Sequence, residues 1–173
     1  PKGGIVMHDE LTRSDLEKMQ EELDDRRINL RPKLLEAVKE ARAFGDLSEN
    51  FEYKAAKQEK NHNERRIRYL ENMIKTAVVI EDQSEDNQVG LFDQVTVYFE
   101  EDDEEETFQL VTTLRQDALQ GRISKESPVG QALFGHRVGE RVMVKVNESR
   151  SYPLVIRKIE KCAEDESVPI NPF

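Results

Sequence analysis

Two carboxylates, Asp46 and Glu49, lie in the segment Phe44-Gly45-Asp46-Leu47-Ser48-Glu49-Asn50, between two long helical patterns. Acids at the turn of a helical hairpin are solvated and can be presented to another molecule. A pair of them suggests a device that carries metal-binding chemistry to a distant site. Magnesium keeps several waters and takes only one or two carboxylates, often with phosphate oxygens. Two acids on such a tip do not build a tight site alone, but they can complete one that another molecule half builds. A second role competes for the same residues. Asp46 followed by Glu49 reads as a capping box at the start of the second helix, where acids are also favoured by the helix dipole. The residues by themselves favour capping, and the two roles are compatible.

The arms that position this turn follow from periodicity. Leu16, Met19, Leu23, Arg26, Leu30, Leu34, Ala37, Ala41 and Phe44 step by threes and fours before it. Tyr53, Ala56, Lys60, Asn63, Ile67, Leu70, Ile74 and Ala77 alternate three and four after it. Each arm carries a heptad seam, and the short turn makes the arms antiparallel. Leu16 to Phe44 spans roughly 40 Å at about 1.5 Å per residue. Pro32 predicts a kink or local break in the first arm. Lys60 and Asn63 are polar seam positions, so packing should loosen near the tip. Phe44 and Tyr53 read as the seam residues that close the end of the coil, with base stacking as the sharper alternative. Arg65, Arg66 and Arg68 read as solvated.

Composition bounds the rest. The chain has 173 residues, 36% of them charged, with a mean hydropathy of -0.76. That reads as a soluble protein with a large exposed surface, in one or two domains. No apolar run approaches a membrane span and no secretory core follows the first residues, so a cytoplasmic location is expected. The single cysteine, Cys162, excludes an internal disulfide framework and a cysteine-based zinc site. The net charge of -10 is uneven. Residues 1–80 hold 16 basic and 16 acidic residues, whereas residues 81–173 hold 10 and 20. Within the hairpin, residues 10–30 are net -3 and residues 31–68 net +3. The half nearest the turn suits a protein that touches a few phosphates while something else supplies affinity; it is not the footprint of a free-standing DNA binder.

After a polar linker at residues 81–87 the pattern changes to strands. Val95, Val97 and Phe99 alternate, Phe108 to Val111 is a second candidate, Val142 to Val146 a third, and Leu154-Val155-Ile156 begins a fourth. Ser127-Pro128 signals one short helix. Residues 100–106 are seven acids in a row, read as a solvated hairpin loop. The fold class is α+β: an antiparallel helical hairpin over 8–80 with its acidic tip at 44–50, a β-rich domain with one short helix over 81–160, and a flexible tail over 161–173.

Two stretches carry a family resemblance. Glu40-Ala41-Arg42-Ala43-Phe44-Gly45-Asp46-Leu47-Ser48-Glu49-Asn50-Phe51-Glu52-Tyr53 closely resembles the tip of the Gre family, bacterial transcript-cleavage factors of the GreA/GreB type. Ile123-Ser124-Lys125-Glu126-Ser127-Pro128-Val129-Gly130-Gln131-Ala132-Leu133, with Val138-Gly139-Glu140, is similar to the family's C-terminal signature. Two long motifs in the right order are far more specific than one short pattern.

The resemblance implies a coiled coil followed by an FKBP-like domain that docks on RNA polymerase. The coil would pass down the polymerase secondary channel, where Asp46 and Glu49 would help hold a weakly bound Mg2+ shared with the polymerase. The polymerase would then cleave the 3′ part of a backtracked nascent RNA. Ser48 and Asn50 can support the tip loop or the water by hydrogen bonds. By the same resemblance Arg42 and Lys57, with nearby Lys54, contact the displaced RNA; otherwise these three are solubilising side chains. Glu126, Ser127 and Pro128 match the polymerase-docking segment. The factor would act as a monomer and would not be an enzyme alone. The modest positive charge leans towards GreA-like behaviour. Two other readings stand beside this: a channel-binding inhibitor of the polymerase, and a prolyl isomerase or chaperone module, which needs an aromatic-lined pocket.

Overall fold

The computed structural model describes residues 10–45 and 49–172, which divide into two compact units. The first unit is a helical hairpin. Its outgoing arm is α1 (Arg13–Asp25), a π-helical turn (Arg26–Leu30) and α2 (Arg31–Arg42). Its return arm is the single helix α3 (Phe51–Thr76). The expected break near Pro32 takes the form of that π-helical turn. Pro32 has no N–H to give the Ile28 carbonyl, and the turn just before it is wound wider, with the Arg31 N–H donating to the Arg26 carbonyl five residues back. Ile28 is left 70% exposed.

The seam is partly apolar and partly ionic. Met19, Leu23, Leu34 and Ala41 are buried on the outgoing arm, and Ile67 and Leu70 on the return arm. Between them sits a polar layer. Asn63 is buried and accepts a 2.8 Å hydrogen bond from Arg26. Arg66, expected to be solvated, is instead only 3% exposed and makes two bonds, of 2.6 and 2.9 Å, to the Glu22 carboxylate. Its position one turn beyond Asn63 puts it on the seam face, which a count of apolar residues alone passes over. Arg26 donates to the same carboxylate at 2.8 Å. The Arg66 hydrogen bond, aided by Arg26 and opposed by burial, holds the Glu22 carboxyl below its ordinary range. Arg31 and Glu64 form a second two-bonded pair across the arms, at 2.8 and 3.0 Å.

The second unit comprises Glu10–Thr12 and residues 78–172. Strand β1 (Glu10–Leu11) runs parallel to β2 (Val78–Val79), so the sequence-based boundary at 80 falls after a pairing that ties the start of the chain to this unit. Strands β3 (Gln94–Phe99), β4 (Glu104–Val111), β5 (Arg122–Ser124), β6 (Arg141–Lys145) and β7 (Ser151–Glu160) form one sheet in the order β5-β4-β3-β7-β6. Only the β4–β5 pairing in it is parallel. Val95, Val97, Leu110, Val142, Val144, Leu154 and Ile156 bury one face, against which Leu133 of the short helix α4 (Pro128–Leu133) packs. The acidic loop is shorter than expected. Glu104, Glu105 and Glu106 belong to β4, paired with Phe99, Tyr98 and Val97.

The segment after β7, read from the sequence as a flexible tail, is held at several points. Glu164 accepts a 2.7 Å bond from Thr12 and pairs at 2.9 Å with Arg115, whose side chain is 1% exposed. Arg115 also donates to the Asp165 carbonyl at 2.9 Å, and Val168 is buried. The Asn171 N–H donates to the Leu114 carbonyl at 2.6 Å.

Candidate functional site

At the end of the hairpin, α2 closes with the Phe44 N–H donating to the Ala41 carbonyl at 3.2 Å. Gly45 follows with φ of 120°, a conformation that an L side chain resists even though the space beside it is open. The return helix starts at Phe51 and its cap is Asn50. The Asn50 side-chain oxygen accepts from the Tyr53 N–H at 2.9 Å, while its amide nitrogen donates to the Ala41 carbonyl at 2.7 Å. One side chain thus caps α3 and bolts it to the end of α2. This overturns the capping-box reading of Asp46 and Glu49, because the cap position is 50. Asn and Asp cap about equally well, so the choice was not visible in residue type. Glu49 is exposed and is not the capping residue. Asp46 and Ser48 lie outside the described residues.

The basic residues gather around aromatic rings. Arg42 donates to the Tyr53 hydroxyl at 3.3 Å with its guanidinium 5.5 Å from the ring centre, and the Lys57 ammonium is 6.0 Å from the same ring. The Arg42 hydrogen bond, opposed by desolvation and joined by the charges of Lys57, Arg42 and Lys60, lowers the Tyr53 hydroxyl from its ordinary value. Lys54 sits 5.5 Å from the Phe51 ring. Tyr53 is half-buried between the arms' ends, but Phe44, expected to close the coil, is 77% exposed, and Phe51 is 80% exposed. Residue 44 is two past the end of α2, where the chain has already left the seam.

The described residues of the turn offer one carboxylate to an ion. Among the described residues no three His, Cys, Asp or Glu side chains converge as a metal cage. Glu49 offers an exposed carboxylate, whereas both polar atoms of Asn50 are engaged. Such a tip suits an ion whose remaining ligands come from elsewhere.

The second motif builds a tight turn in the β unit. The Ser127 hydroxyl accepts from the Gly130 N–H at 3.1 Å and donates to the Ser124 carbonyl at 2.6 Å. Glu126 accepts from the Thr113 hydroxyl at 3.1 Å, and Pro128 is exposed. A Cβ on Gly130 would lie 2.1 Å from the Ser124 carbonyl, so only glycine lets α4 approach this closely. Lys125 bridges to Glu10 at 2.8 Å and lies 4.3 Å from the Phe134 ring. Beside it is a cleft of about 420 Å³ whose lining includes Ile80, Val89, Leu91 and Lys125, with Phe134 its one aromatic. A lysine-covered single ring is a poor match to the aromatic-lined pocket a prolyl isomerase needs. No helix among the described residues is long and apolar enough to cross a membrane.

Comparison with known proteins agrees on both units. Residues 10–79 match the family model for the N-terminal region of transcription elongation factors, and residues 78–161 match that for the C-terminal region of GreA/GreB. Transcription elongation factor GreA of Staphylococcus saprophyticus is 41% identical over 134 residues, covering 78% of this chain and 85% of that protein. Transcription elongation factor GreA of Oenococcus oeni is 40% identical over 152 residues, covering 87% and 94%. The crystal structure of GreA factor homolog 1 from Thermus thermophilus is 27% identical, covers 90% of this chain and 100% of that one, and superposes with a TM-score of 0.42. With both family models matched in order across the two units, this chain belongs to the GreA/GreB family of transcription elongation factors.

Proposed function

We propose that this chain inserts its helical hairpin into the secondary channel of bacterial RNA polymerase and stimulates Mg2+-dependent endonucleolytic cleavage of the nascent RNA 3′ end in backtracked complexes. The observation that carries this reading is the division of labour at the turn. Asn50 does the structural work of starting α3, and Glu49 stands free of it. An exposed acid that is not the cap is available for a partner.

Asp46 and Glu49 would hold the ion from the protein side, with polymerase carboxylates and an RNA phosphate completing its shell. When bound, magnesium stabilises charge on the phosphodiester and makes a bound water more acidic. Arg42, Lys54 and Lys57 would bind the phosphates of the displaced RNA. Arg42 and Lys57 are pre-oriented for this by the Tyr53 ring they share. Glu126, Ser127 and Pro128 would present the docking turn, whose shape the Ser127 and Glu126 hydrogen bonds fix. The chain would act as a monomer and supply residues to the polymerase's own nuclease, and is no enzyme alone.

The test is RNA cleavage in a stalled, backtracked elongation complex. Wild type should stimulate strongly. Asp46→Ala and Glu49→Ala should each lower stimulation by about 10–100-fold, the size seen when a supporting ligand of a metal site is lost, while still competing for polymerase. Competitive binding without stimulation by wild type would leave the inhibitor reading. Failure to bind polymerase would reject the partner.

A further inference from the structure

Among the described residues, the exposed large apolar side chains include just two aromatic ones, Phe44 and Phe51, and they flank the same turn. The described phenylalanines of the β unit, Phe92, Phe99, Phe108 and Phe134, are buried or half-buried. Single exposed aliphatic residues are ordinary on protein surfaces. Concentrating the exposed rings at one turn is a different pattern, and it falls where the hairpin is also most basic.

Of these two rings, Phe51 is the better placed. It is the first residue of α3, directly after the cap, so the double hydrogen bond of Asn50 fixes its backbone. Lys54, one turn on, brings its ammonium to 5.5 Å from the ring yet leaves the side chain 80% exposed. Tyr53, the alternative stacking residue, already has Arg42 and Lys57 against its ring. A ring with a cation over it that is still 80% exposed matches one nucleotide of a single strand: the base stacks on the open part of the ring and the phosphate meets the charge.

We propose that Phe51, with Lys54, is a stacking platform for an unpaired base of the displaced RNA 3′ segment and positions that segment for cleavage. This rests on the function proposed above and adds a base contact to a phosphate-binding tip. Stacking tolerates any base and favours the larger purines, so the platform would hold the strand without reading its sequence.

The test uses the full-length protein with backtracked complexes carrying 2-aminopurine as the extruded 3′-terminal base. Wild type, Phe51→Leu and Phe51→Trp are compared for fluorescence quenching, cleavage rate and competition for polymerase. Phe51→Leu should bind polymerase as wild type does, lose most of the quenching and cleave about tenfold more slowly, the usual scale for losing one stacked base. The loss should be larger for a terminal purine than for a pyrimidine, and Phe51→Trp should retain both signals. Unchanged quenching and cleavage in Phe51→Leu would overturn the proposal while leaving the cleavage function intact. Slower cleavage with undiminished quenching would also overturn it, because Phe51 would then be touching polymerase. Absence of stimulation by wild type would reject the function and the platform together.

Discussion

The middle of the hairpin and its tip use the same kinds of residue in opposite ways. In the middle, half-buried Glu22 and Arg26 bind buried Asn63 and Arg66, so their charges are spent on holding the arms in register. At the tip, Glu49, Arg42, Lys54 and Lys57 are exposed, and a single amide, Asn50, does the holding. A polar residue within a coil sets alignment at a cost in stability. The same residue at the end, released from that duty, is available to a partner. Charge at a given helical spacing therefore does not announce its role; what it faces does.

The comparison breaks most clearly at Glu22. Glu22→Ala leaves Arg66 buried without its two-bonded carboxylate, and the hairpin should lose about 3 kcal/mol, read as a lower urea midpoint of the helical signal. Asn50→Ala removes a cap and the bond to Ala41, and should cost about 1 kcal/mol; a shift as large as that of Glu22→Ala would mean that the tip, too, is a structural centre. The smallest effect is that of acid. The Glu22 and Glu64 carboxyls are both lowered from 4.5, Glu22 first by Arg66 and Glu64 first by Arg31. Groups lowered in the folded state contribute stability that is complete above their unfolded value and fades as pH falls through the folded one. Helical melting should therefore be level near neutrality and decline below about pH 4.5, with Glu22→Gln flattening the decline. An unchanged slope in that variant would show that the buried pair is not what acid titrates.

Much of this arrangement was readable beforehand. The seam predicted both arms and the turn, Ser127-Pro128 predicted α4, and alternating valines at 95–97 and 142–146 with apolar runs at 108–111 and 154–156 predicted four strands. What escaped has physical reasons. Periodicity counts apolar residues, so it missed Arg66, whose burial depends on a carboxylate 44 residues away. Pro32 predicted a kink or local break but not a π-helical turn. Strands β1, β2 and β5 are two or three residues long and are made by parallel pairing with distant segments, which leaves no alternation to see. Glu104 to Glu106 read as loop because their place in β4 comes from pairing with β3 and not from side chains that seek burial. At the tip, both Phe51 and Tyr53 have a cation over the ring, and what separates them is that Phe51 stays exposed while Tyr53 is half-buried between the arms' ends, which spacing alone does not contain.

The β unit is assembled from both sides of the hairpin. β1 pairs with β2 across the whole helical excursion, and Glu164 reaches back to Thr12. During synthesis at roughly 5–20 residues per second, β1 must wait several seconds for its neighbour and longer for the segment that contains Glu164. The hairpin, by contrast, has all of its seam once α3 is made. The nascent chain would thus emerge with its helical hairpin formed first and the β unit completed last, a birth order written by the position of two residues, Glu10 and Leu11, ahead of the first helix.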